Sequence, residues 1–190
     1  SQLVVRRQLG LPSRRLDYRQ SAIIANVQTA GPHRGRAFER FTREGPIALL
    51  PMGEGRSSLV WCASTERAKR LMALDDEPFL QQLQQEFGYR LGQLQRTGQR
   101  YCYPLVLDEV ERPWHHRVTL IGNAAHLLHP IAGQGFNLGL RDVAALVDKV
   151  RQALADEQDI GSYSVLSTYG QARQPDQATI VGLTTALALI

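Results

Sequence analysis

Short apolar runs, separated by glycine and proline, make up the first third of the chain. Their residues are β-branched or alternate with polar ones, and Gly53-Glu54-Gly55 is typical of a hairpin turn. This pattern predicts β-structure throughout residues 1–64, with antiparallel strands. We place these strands at residues 21–30, 36–42, 46–52 and 57–64.

After residue 64 the apolar spacing changes from that of strands to that of helices. Ser64 or Thr65 is a candidate N-cap for a first helix. A second helix begins with acidic residues and Pro78, and it carries an apolar stripe. A strand follows at residues 100–107, and Pro104 indicates an edge or an end there. The stripe of the second helix consists of Phe79, Leu80, Leu83 and Phe87.

The longest helical pattern begins near Gln134, after a short apolar strand at residues 118–121. Its apolar residues recur with spacings of four, three, four, three and four, which predicts one long helix. A polar link at residues 156–161 leads to a last helix, which we predict to break or restart at Pro175. The recurring residues are Phe136, Leu140, Val143, Val147, Val150 and Leu154.

The composition is that of a globular protein, since 43% of the 190 residues are hydrophobic and 21% are charged. The net charge is +4, and we interpret the scattered arginines as a solvated surface. Attraction to anionic lipid or acidic partners is the alternative. No arginine-rich helix with interleaved aromatic residues is present, which argues against nucleic-acid binding. The scattered arginines are Arg6, Arg7, Arg14, Arg15, Arg34, Arg36, Arg40 and Arg43.

The cysteines and the termini bear on the location of the protein. Cys62 and Cys102 lie far apart in apolar or strand-like runs, so we predict buried thiols and no disulfide. No signal peptide opens the sequence, and the apolar run at residues 180–190 is shorter than the ~20 residues that span a bilayer. We expect a reducing, cytoplasmic location. Because the chain begins at Ser1 and stops within an apolar pattern, we also expect a piece of a longer protein.

Residues 122–139, GNAAHLLHPIAGQGFNLG, form the segment richest in candidate chemistry. Phosphate binding fits poorly, because G-x-G-x-x-x-G is one residue longer than the dinucleotide fingerprint and lacks its tight strand-to-helix turn. Metal binding also fits poorly, because His126 and His129 have no H-E-x-x-H motif, cysteine cluster or neighbouring carboxylate. No serine or cysteine in the segment offers a nucleophile.

A flat organic cofactor explains the segment better. Gly133 and Gly135 let the backbone approach a planar ligand closely. A helix that begins near Gln134 directs free N–H groups and a positive dipole end at whatever lies before it. The reduced isoalloxazine ring of a flavin, with negative charge over N1 and C2=O, is a group of this kind.

The segment at residues 117–143, RVTLIGNAAHLLHPIAGQGFNLGLRDV, resembles the second FAD-binding motif of the flavoprotein aromatic hydroxylases. This is the p-hydroxybenzoate hydroxylase-like class. Residues 45–61, 87–92 and 103–107 are similar to substrate-domain segments of the same family, so the resemblance covers nearly the whole chain. The joint occurrence of GNAA, HPIAGQGFNLG and RDV is most similar to the ubiquinone-biosynthesis hydroxylases.

The resemblance implies an α/β fold, which is α+β within these residues. An antiparallel-sheet substrate domain with two helices would occupy residues 1–110. The strand, loop and helix of the second FAD motif would occupy residues 111–155, and the start of a truncated C-terminal helical region residues 156–190. The N-terminal βαβ unit of the FAD-binding Rossmann-like domain is missing from this stretch, so we expect the 190 residues alone to be inactive and to bind FAD weakly.

The resemblance also implies cofactor contacts in the loop before the helix, at Gly122, Asn123 and Pro130. Position 123 would hydrogen-bond a ribityl hydroxyl of FAD. The family usually has Asp there, but Asn123 can accept or donate; alternatively, Asn123 only caps the loop. The carbonyl of Pro130 would lie near C4a and N5 of the flavin and near the substrate, which is the one catalytic role we assign. We expect no metal site.

Further along, the resemblance implies cofactor contacts around the helix start. Gly135, Phe136 and Asn137 would present backbone N–H groups to the pyrimidine end of the flavin. Gln134 and Asn137 would line the flavin edge with their side chains, next to Gly133. His126 matches a family histidine, to which we assign a structural role. Arg141 and Asp142 are predicted to fix the loop by local hydrogen bonds.

For function, the resemblance implies that an intact protein reduces FAD with NAD(P)H and hydroxylates a polyprenylated phenol with O₂ through a flavin C4a-hydroperoxide. Such a substrate implies peripheral contact with the inner membrane and a place in a multi-enzyme ubiquinone-biosynthesis complex. Two alternatives stay open at this point. One is a related flavin hydroxylase for another aromatic compound, and the other is a non-catalytic substrate-binding or assembly module.

Overall fold

The computed structural model describes residues 2–189, apart from the side chains of residues 2, 3 and 132. The chain divides into two compact units. Unit 1 contains the residues up to Tyr18 and those from Val106 onward, and unit 2 contains Arg19–Leu105. The sequence-based boundary at residue 110 therefore differs from the compact units, which also group the first 18 residues with unit 1. The functions assigned to the segments stay predictions.

Helices and strands alternate irregularly along the chain, and the two longest helices come last. In chain order the elements are α1 (Gln2–Gln8), β1 (Ser13–Thr29), β2 (Phe38–Thr42), β3 (Gly45–Pro51), β4 (Arg56–Ser64), α2 (Thr65–Met72), α3 (Asp76–Phe87), β5 (Leu94–Thr97), β6 (Tyr101–Val110), β7 (Trp114–His115), β8 (Val118–Thr119), β9 (His126–Leu127), α4 (Gln134–Ala155) and α5 (Tyr163–Ala188). The mixture of helices and antiparallel sheet confirms the predicted fold class.

Unit 2 is an antiparallel sheet covered on one face by α2 and α3. Within this unit the strand order is β2-β3-β4-β1, and β5 also pairs with β1. Cross-strand pairs such as Ile23 with Trp61 and Leu49 with Leu59 place large side chains on the covered face. The hairpin predicted at Gly53-Glu54-Gly55 is confirmed, because these residues join the antiparallel pair β3 and β4. The predicted N-cap Ser64 is also confirmed, because its Oγ accepts the N–H of Arg67. From the predicted α3 stripe, Phe79, Leu83 and Phe87 are buried and Leu80 is half-buried.

The prediction of β-structure throughout residues 1–64 is wrong at the beginning, where residues 2–8 form α1. Val4 and Val5 favour strands locally, but a tertiary contact overrides this preference. The buried guanidinium of Arg6 pairs with Asp108 (Nη1–Oδ1, 2.7 Å) and donates from Nε to the carbonyl of Ala124 (2.7 Å). Arg6 is therefore part of the core of unit 1, and the interpretation of all these arginines as solvated surface is wrong for it.

The predicted break at Pro175 is also wrong, because α5 runs through this residue without interruption. A proline inside a helix removes one backbone hydrogen bond and costs about 3 kcal/mol. Buried residues on both sides of it, including Tyr169 and Val181, hold α5 in place. Thr179 also donates its hydroxyl to the carbonyl of Pro175 (2.8 Å).

The two cysteines differ from one another. Cys62 is buried as predicted, and this burial, together with the nearby Glu39, raises the pKa of its thiol to about 12. Cys102 is exposed, because the first four residues of β6 are all exposed to solvent. The prediction of a buried thiol is therefore wrong for Cys102. Both cysteines are free.

Helix α4 is present as predicted, but its apolar stripe is mostly exposed to solvent, which we did not expect. An apolar stripe normally faces a core, whereas five of the six stripe residues are exposed here, with Phe136 at 75%. The inward face of α4 instead carries Leu138, Asp142 and Ala153. We call the exposed residues Phe136, Leu140, Val143, Val147 and Leu154 the α4 stripe.

Gly170 allows α5 to pack closely on Trp114 within unit 1. A Cβ added at position 170 would overlap the six-membered ring of that indole, with Cη2 at 2.8 Å. We expect Gly170→Ala to lower the free energy of unfolding by about 1–3 kcal/mol, because the indole or the helix must move. Urea unfolding measures this change.

The matched control is Gly182→Ala on the same helix, where an added Cβ meets nothing within 4 Å. Alanine should stabilise that position by up to about 1 kcal/mol through its higher helix propensity. Equal stability of the two variants would contradict the steric explanation.

Candidate cofactor-binding site

The predicted cofactor loop lies wholly in unit 1, between β8 and α4. After the two-residue strand β8, Gly122–Ala124 form a 3-10 turn. Strand β9 then pairs antiparallel with β6, with His126 opposite Glu109. A second 3-10 turn, Ile131–Gly133, leads directly into α4. The predicted strand at residues 118–121 is thus shorter than expected, because the backbone turns at Gly122.

Glycines determine how closely this loop approaches α4. Gly122 has φ of +54°, a left-handed conformation that glycine adopts without strain. A Cβ added at Gly139 of α4 would lie 3.4 Å from the Cα of Gly122, so the two backbones are in close contact. Gly133, with φ of 60°, is the N-cap of α4. The first residues of the loop therefore pack against α4, and its last residues lead directly into the same helix.

The beginning of α4 is open to a ligand. Gly133 supplies no side chain to cap the helix, and the first turn contains no acidic residue. A Cβ added at Gly133 or Gly135 would meet nothing within 4 Å. The first N–H groups of a helix have no partner inside it and carry the positive end of the helix dipole. This surface fits a ligand with carbonyl or anionic oxygens.

The residues predicted to contact the cofactor differ in their exposure to solvent. Asn123, Gly133, Phe136 and Asn137 are exposed, and Gly122, Pro130, Gln134 and Gly135 are half-buried. The carbonyl of Pro130 accepts the N–H of Gly133 (3.0 Å) in the second 3-10 turn, and one carbonyl lone pair is left for another donor. Their contacts with a cofactor stay predictions.

A buried carboxylate, Asp142, holds the loop from the inward face of α4. Its Oδ2 accepts the backbone N–H of Gly122 (3.0 Å) and the Nε2 proton of His126 (2.7 Å). Its Oδ1 accepts Nε of Arg173 (2.8 Å) and Nε2 of Gln177 (3.0 Å), both from α5. The predicted loop-fixing role is confirmed for Asp142.

Arg141, for which we predicted the same role, instead pairs with Asp176 of α5 (Nη1–Oδ1, 2.7 Å). The neighbouring residue Asp142 lies on the inward face of α4, whereas Arg141 is exposed. The two residues therefore reach different partners, and only Asp142 contacts the loop segment that we predicted.

These contacts keep Asp142 ionised. Burial alone would raise its pKa, but the hydrogen bonds from His126, Arg173, Gly122 and Gln177 outweigh burial and hold the pKa well below its usual value. Because an ionised carboxylate only accepts hydrogen bonds, the proton of His126 lies on Nε2. The Nδ1 atom of His126 is buried and has no hydrogen-bond partner among the described residues.

His129, next to Pro130, is a neutral core histidine. Its Nδ1 accepts the N–H of Ile131 (3.2 Å), and its ring lies edge-on to Tyr18 with the centroids 5.1 Å apart. The hydroxyl of Tyr18 is hydrogen-bonded to that of Thr185 (2.9 Å). Burial lowers the pKa of His129 to about 4.

The lowered pKa of His129 predicts how the free energy of unfolding depends on pH. Between pH ~6.5 and ~4 the unfolded chain protonates this histidine while the folded chain does not, so stability falls as the pH falls through this range. The shift corresponds to a loss of at most about 3 kcal/mol. Asp142, with a lowered pKa, contributes a further loss only below pH ~4.

We expect His129→Gln to flatten the stability profile between pH ~6.5 and ~4, because glutamine does not titrate in this range. Denaturant unfolding at a series of pH values measures the profile. His115→Gln, at a half-buried position in β7, is the control. An unchanged slope in the His129 variant would contradict the assignment.

Sequence reasoning missed the residues that support the loop from a distance, namely Arg6, Arg173 and Gln177. Arg6 lies on α1, and the other two lie on α5, more than 30 residues beyond Asp142. A signal for Arg173 was present, because it interrupts the inward face of α5 between Tyr169 and Val181. A charged residue within an apolar face indicates a buried partner.

Neither the groove of unit 2 nor a metal-binding cluster adds a site at the loop among the described residues. A groove of about 1260 Å³ in unit 2 runs between α3 and β5, and its walls contain Tyr89 and several glutamines but no predicted site residue. Within residues 2–189 no group of three or more histidine, cysteine or acidic side chains lies together as a metal would require. Over the same residues, no helix is both long enough and apolar enough to cross a bilayer.

A glycine-rich loop, held by a buried carboxylate and leading to an uncapped helix start, is suited to an oxygen-rich cofactor that accepts hydrogen bonds from backbone amides. Comparison with known families identifies the class further. A family model described as FAD binding domain matches residues 4–184, and the chain belongs to this family. The open helix start and the exposed amide of Asn123 fit FAD, which offers carbonyl oxygens and ribityl hydroxyls as partners.

Named relatives add detail. The chain is 42% identical over 183 residues to the ubiquinone hydroxylase UbiL of Rhodospirillum rubrum, covering 96% of this chain and 43% of that protein. It is 33% identical over 205 residues to the ubiquinone biosynthesis monooxygenase COQ6 of Danio rerio, covering 90% and 42%. The chain spans less than half the length of these curated relatives.

A solved structure shares the fold. PqsL of Pseudomonas aeruginosa, in complex with 2-aminobenzoylacetate, is 27% identical with a TM-score of 0.77. The match covers 97% of this chain and 52% of that one. The predicted resemblance to the ubiquinone-biosynthesis group of FAD-dependent hydroxylases is therefore confirmed.

Proposed function

We propose that this chain is part of an FAD-dependent monooxygenase that uses NAD(P)H and O₂ to hydroxylate a polyprenylated phenol in ubiquinone biosynthesis. The observation that carries the proposal is the uncapped start of α4 at Gly133, within a chain that matches the FAD binding domain family. The 42% identity to a protein named ubiquinone hydroxylase supports the substrate class.

The residues of the loop would hold and orient the flavin. The backbone N–H groups of Gly135, Phe136 and Asn137 would bind its pyrimidine oxygens, with Gln134 at the ring edge. Asn123 would bind a ribityl hydroxyl. FAD, reduced by NAD(P)H, supplies the activation of O₂.

Two other residues would shape the reaction space. The carbonyl of Pro130 would orient the substrate hydroxyl, for which its second lone pair is suited. The exposed ring of Phe136 would help to exclude water, which protects a reactive oxygen species from solvent. The resemblance of the loop to that of the 2-octaprenyl-6-methoxyphenol hydroxylases favours a methoxyphenol with a prenyl tail.

The proposed flavin contact is tested by Gly135→Leu in the protein expressed from its native gene. Position 135 has open space around an added Cβ, so the variant should fold normally, while its side chain would occupy the place of the flavin ring. We expect FAD affinity to fall at least ~100-fold, because a displaced near-planar ligand loses several contacts. Fluorescence titration with FAD measures this loss.

Gly182→Leu on α5, where the space is also open, is the matched control and should leave FAD affinity unchanged. A wild-type protein that is colourless and does not consume NAD(P)H with O₂ and a prenylated phenol would favour a non-catalytic substrate-binding or assembly module. Turnover of an unprenylated aromatic compound alone would favour a related hydroxylase.

We also propose peripheral contact with the cytoplasmic surface of the inner membrane, where a prenylated substrate is dissolved. In unit 2 His33 is hydrogen-bonded through Nε2 to the Met52 carbonyl (2.9 Å), and its near neighbours in sequence, Arg34 and Arg36, are exposed. Leu50 and Met52 are both exposed. Cations next to apolar side chains suit an anionic lipid surface.

Co-sedimentation with vesicles tests this contact. Wild-type protein should bind vesicles that contain anionic lipid, and the double variant Arg34→Glu/Arg36→Glu should lose this binding. Each arginine near an anionic surface contributes about 1 kcal/mol, so reversing two charges should be easily measured. Equal sedimentation of both proteins would exclude Arg34 and Arg36 as the membrane contact. Assembly in a multi-enzyme complex is a further proposal, and co-purification tests it.

A further inference from the structure

The carboxylate of Asp142 connects two parts of unit 1 that are far apart in sequence. One oxygen, Oδ2, accepts hydrogen bonds from Gly122 and His126 of the loop. The other oxygen, Oδ1, accepts them from Arg173 and Gln177 of α5. A single buried side chain thus joins the cofactor-facing loop to the last helix.

We propose that Arg173 is a positioning residue, which holds the cofactor-facing loop in place from α5 by way of Asp142. Among the described residues, the hydrogen bonds of Arg173 go to Asp142 and Asp176, so it would act on the loop through the carboxylate of Asp142. The proposal rests on the proposed function to the extent that the ligand of the loop is FAD. The positioning of the loop can be measured without any ligand.

The first argument is the charge balance. Asp142 is fully buried, and Arg173 is 8% exposed. Arg173 contacts Oδ1 of Asp142 through Nε and Oδ2 of Asp176 through Nη2 (2.6 Å). A buried carboxylate that loses its cation must take up a proton or move toward solvent.

The second argument is the number of acceptor sites that the loop needs. Oδ2 serves both Gly122 and His126, and a protonated carboxyl group has less acceptor capacity than a carboxylate. His126 depends strongly on this contact, because its Nδ1 is buried without a hydrogen-bond partner among the described residues. Loss of the charge on Asp142 therefore loosens the loop at two points.

The loop also has an anchor that does not involve α5. Arg6 of α1 donates to the carbonyl of Ala124 (2.7 Å) and pairs with Asp108. Removing Arg173 should therefore loosen the loop without releasing it. We therefore expect the removal of Arg173 to have only a moderate effect on the loop.

The experiment uses the protein expressed from its native gene and three variants of α5. Arg173→Met removes the charge and the donors, Arg173→Lys restores the charge, and Gln177→Ala removes the neutral donor to Oδ1. Gln177→Ala keeps the experiment decisive if Arg173→Met fails to fold. Hydrogen–deuterium exchange of the amides at residues 122–133, without cofactor, reports the positioning of the loop.

Two controls lie on the same helix. Gln174→Ala changes an exposed glutamine one turn from Gln177, and it should leave the loop unaffected. Gly170→Ala should destabilise α5 through Trp114, which supplies the three atoms nearest to the added Cβ. It therefore separates general destabilisation of the helix from the specific path through the carboxylate.

We expect loop exchange to accelerate about tenfold in Arg173→Met, within the usual range of coupling between sites, and less in Gln177→Ala. Arg173→Lys should largely restore the wild-type rate. Loop exchange that is unchanged in Arg173→Met, or equally accelerated in Gly170→Ala, would overturn the proposal. If Arg173→Met does not fold, an unchanged rate in Gln177→Ala overturns it.

Titration with FAD then separates this proposal from the proposed function. If the loop holds FAD, the dissociation constant should rise about tenfold in Arg173→Met and recover in Arg173→Lys. A wild-type protein that does not bind FAD would overturn the proposed function alone, because the exchange rates would still decide the role of Arg173. FAD binding that is unaffected by a loosened loop would overturn the functional part of this inference.

Discussion

Replacing Asp142 with alanine is expected to lower the free energy of unfolding by about 3–5 kcal/mol, because breaking a buried ion pair leaves the remaining charge without compensation. The substitution removes four hydrogen bonds at once. It leaves the buried guanidinium of Arg173 with Asp176 as its remaining carboxylate partner, and it leaves His126 without its Nε2 acceptor. Urea unfolding followed by circular dichroism measures the change.

The control is Asp148→Ala, an exposed aspartate on the same helix. Surface substitutions of this kind usually change stability by less than ~0.5 kcal/mol. A loss in the Asp142 variant no larger than in the Asp148 variant would contradict the central role of this carboxylate. The double variant Asp142→Ala/Arg173→Met should recover part of the loss, because it removes both buried charges together.

Replacing Trp61 with alanine is expected to destabilise unit 2 by about 3–5 kcal/mol, the usual range for an aromatic residue removed from a core. Trp61 is 1% exposed and lies on the covered face of the sheet. Its ring contacts Phe79 of α3, with the centroids 5.6 Å apart. The variant would leave a cavity between β4 and α3, which the rigid sheet can only partly close.

Tyr89→Ala is the matched control for this prediction, since Tyr89 is an aromatic residue of the same unit with 75% of its surface exposed. It should change stability by less than ~0.5 kcal/mol. Thermal unfolding, followed by the near-ultraviolet circular dichroism of the aromatic residues, compares the two variants. Similar midpoints would show that Trp61 is not a principal core residue.

The sequence pattern correctly predicted those elements whose structure is determined by residues that are close together in the sequence. The turn residues Gly53-Glu54-Gly55 predicted the hairpin of β3 and β4, and the regular apolar spacing predicted α4. The glycines around Gly133 predicted the open loop and helix start, because positive φ is a local requirement of the backbone. The family resemblance rested on the same segment, and the match to the FAD binding domain family confirms it.

The pattern of apolar and polar residues could not predict contacts between residues that are far apart in the sequence. The helix at residues 2–8 and the uninterrupted α5 both depend on partners elsewhere in unit 1. The supports of the loop, Arg6 and Arg173, are separated from it by dozens of residues. Spacing along α4 predicted its helical period, but not its inward face, which carries Leu138, Asp142 and Ala153 while most of the apolar stripe is exposed.

The α4 stripe has a consequence for protein engineering. Apolar side chains stabilise a fold chiefly through burial, and five of these residues are exposed along a helix length of about 27 Å. When these 190 residues are expressed alone, lysine or glutamate at Val143, Val147 and Leu154 should therefore improve solubility with little loss of stability. Within these 190 residues the exposed apolar positions of α4 tolerate redesign, whereas the buried Asp142 on its inward face does not.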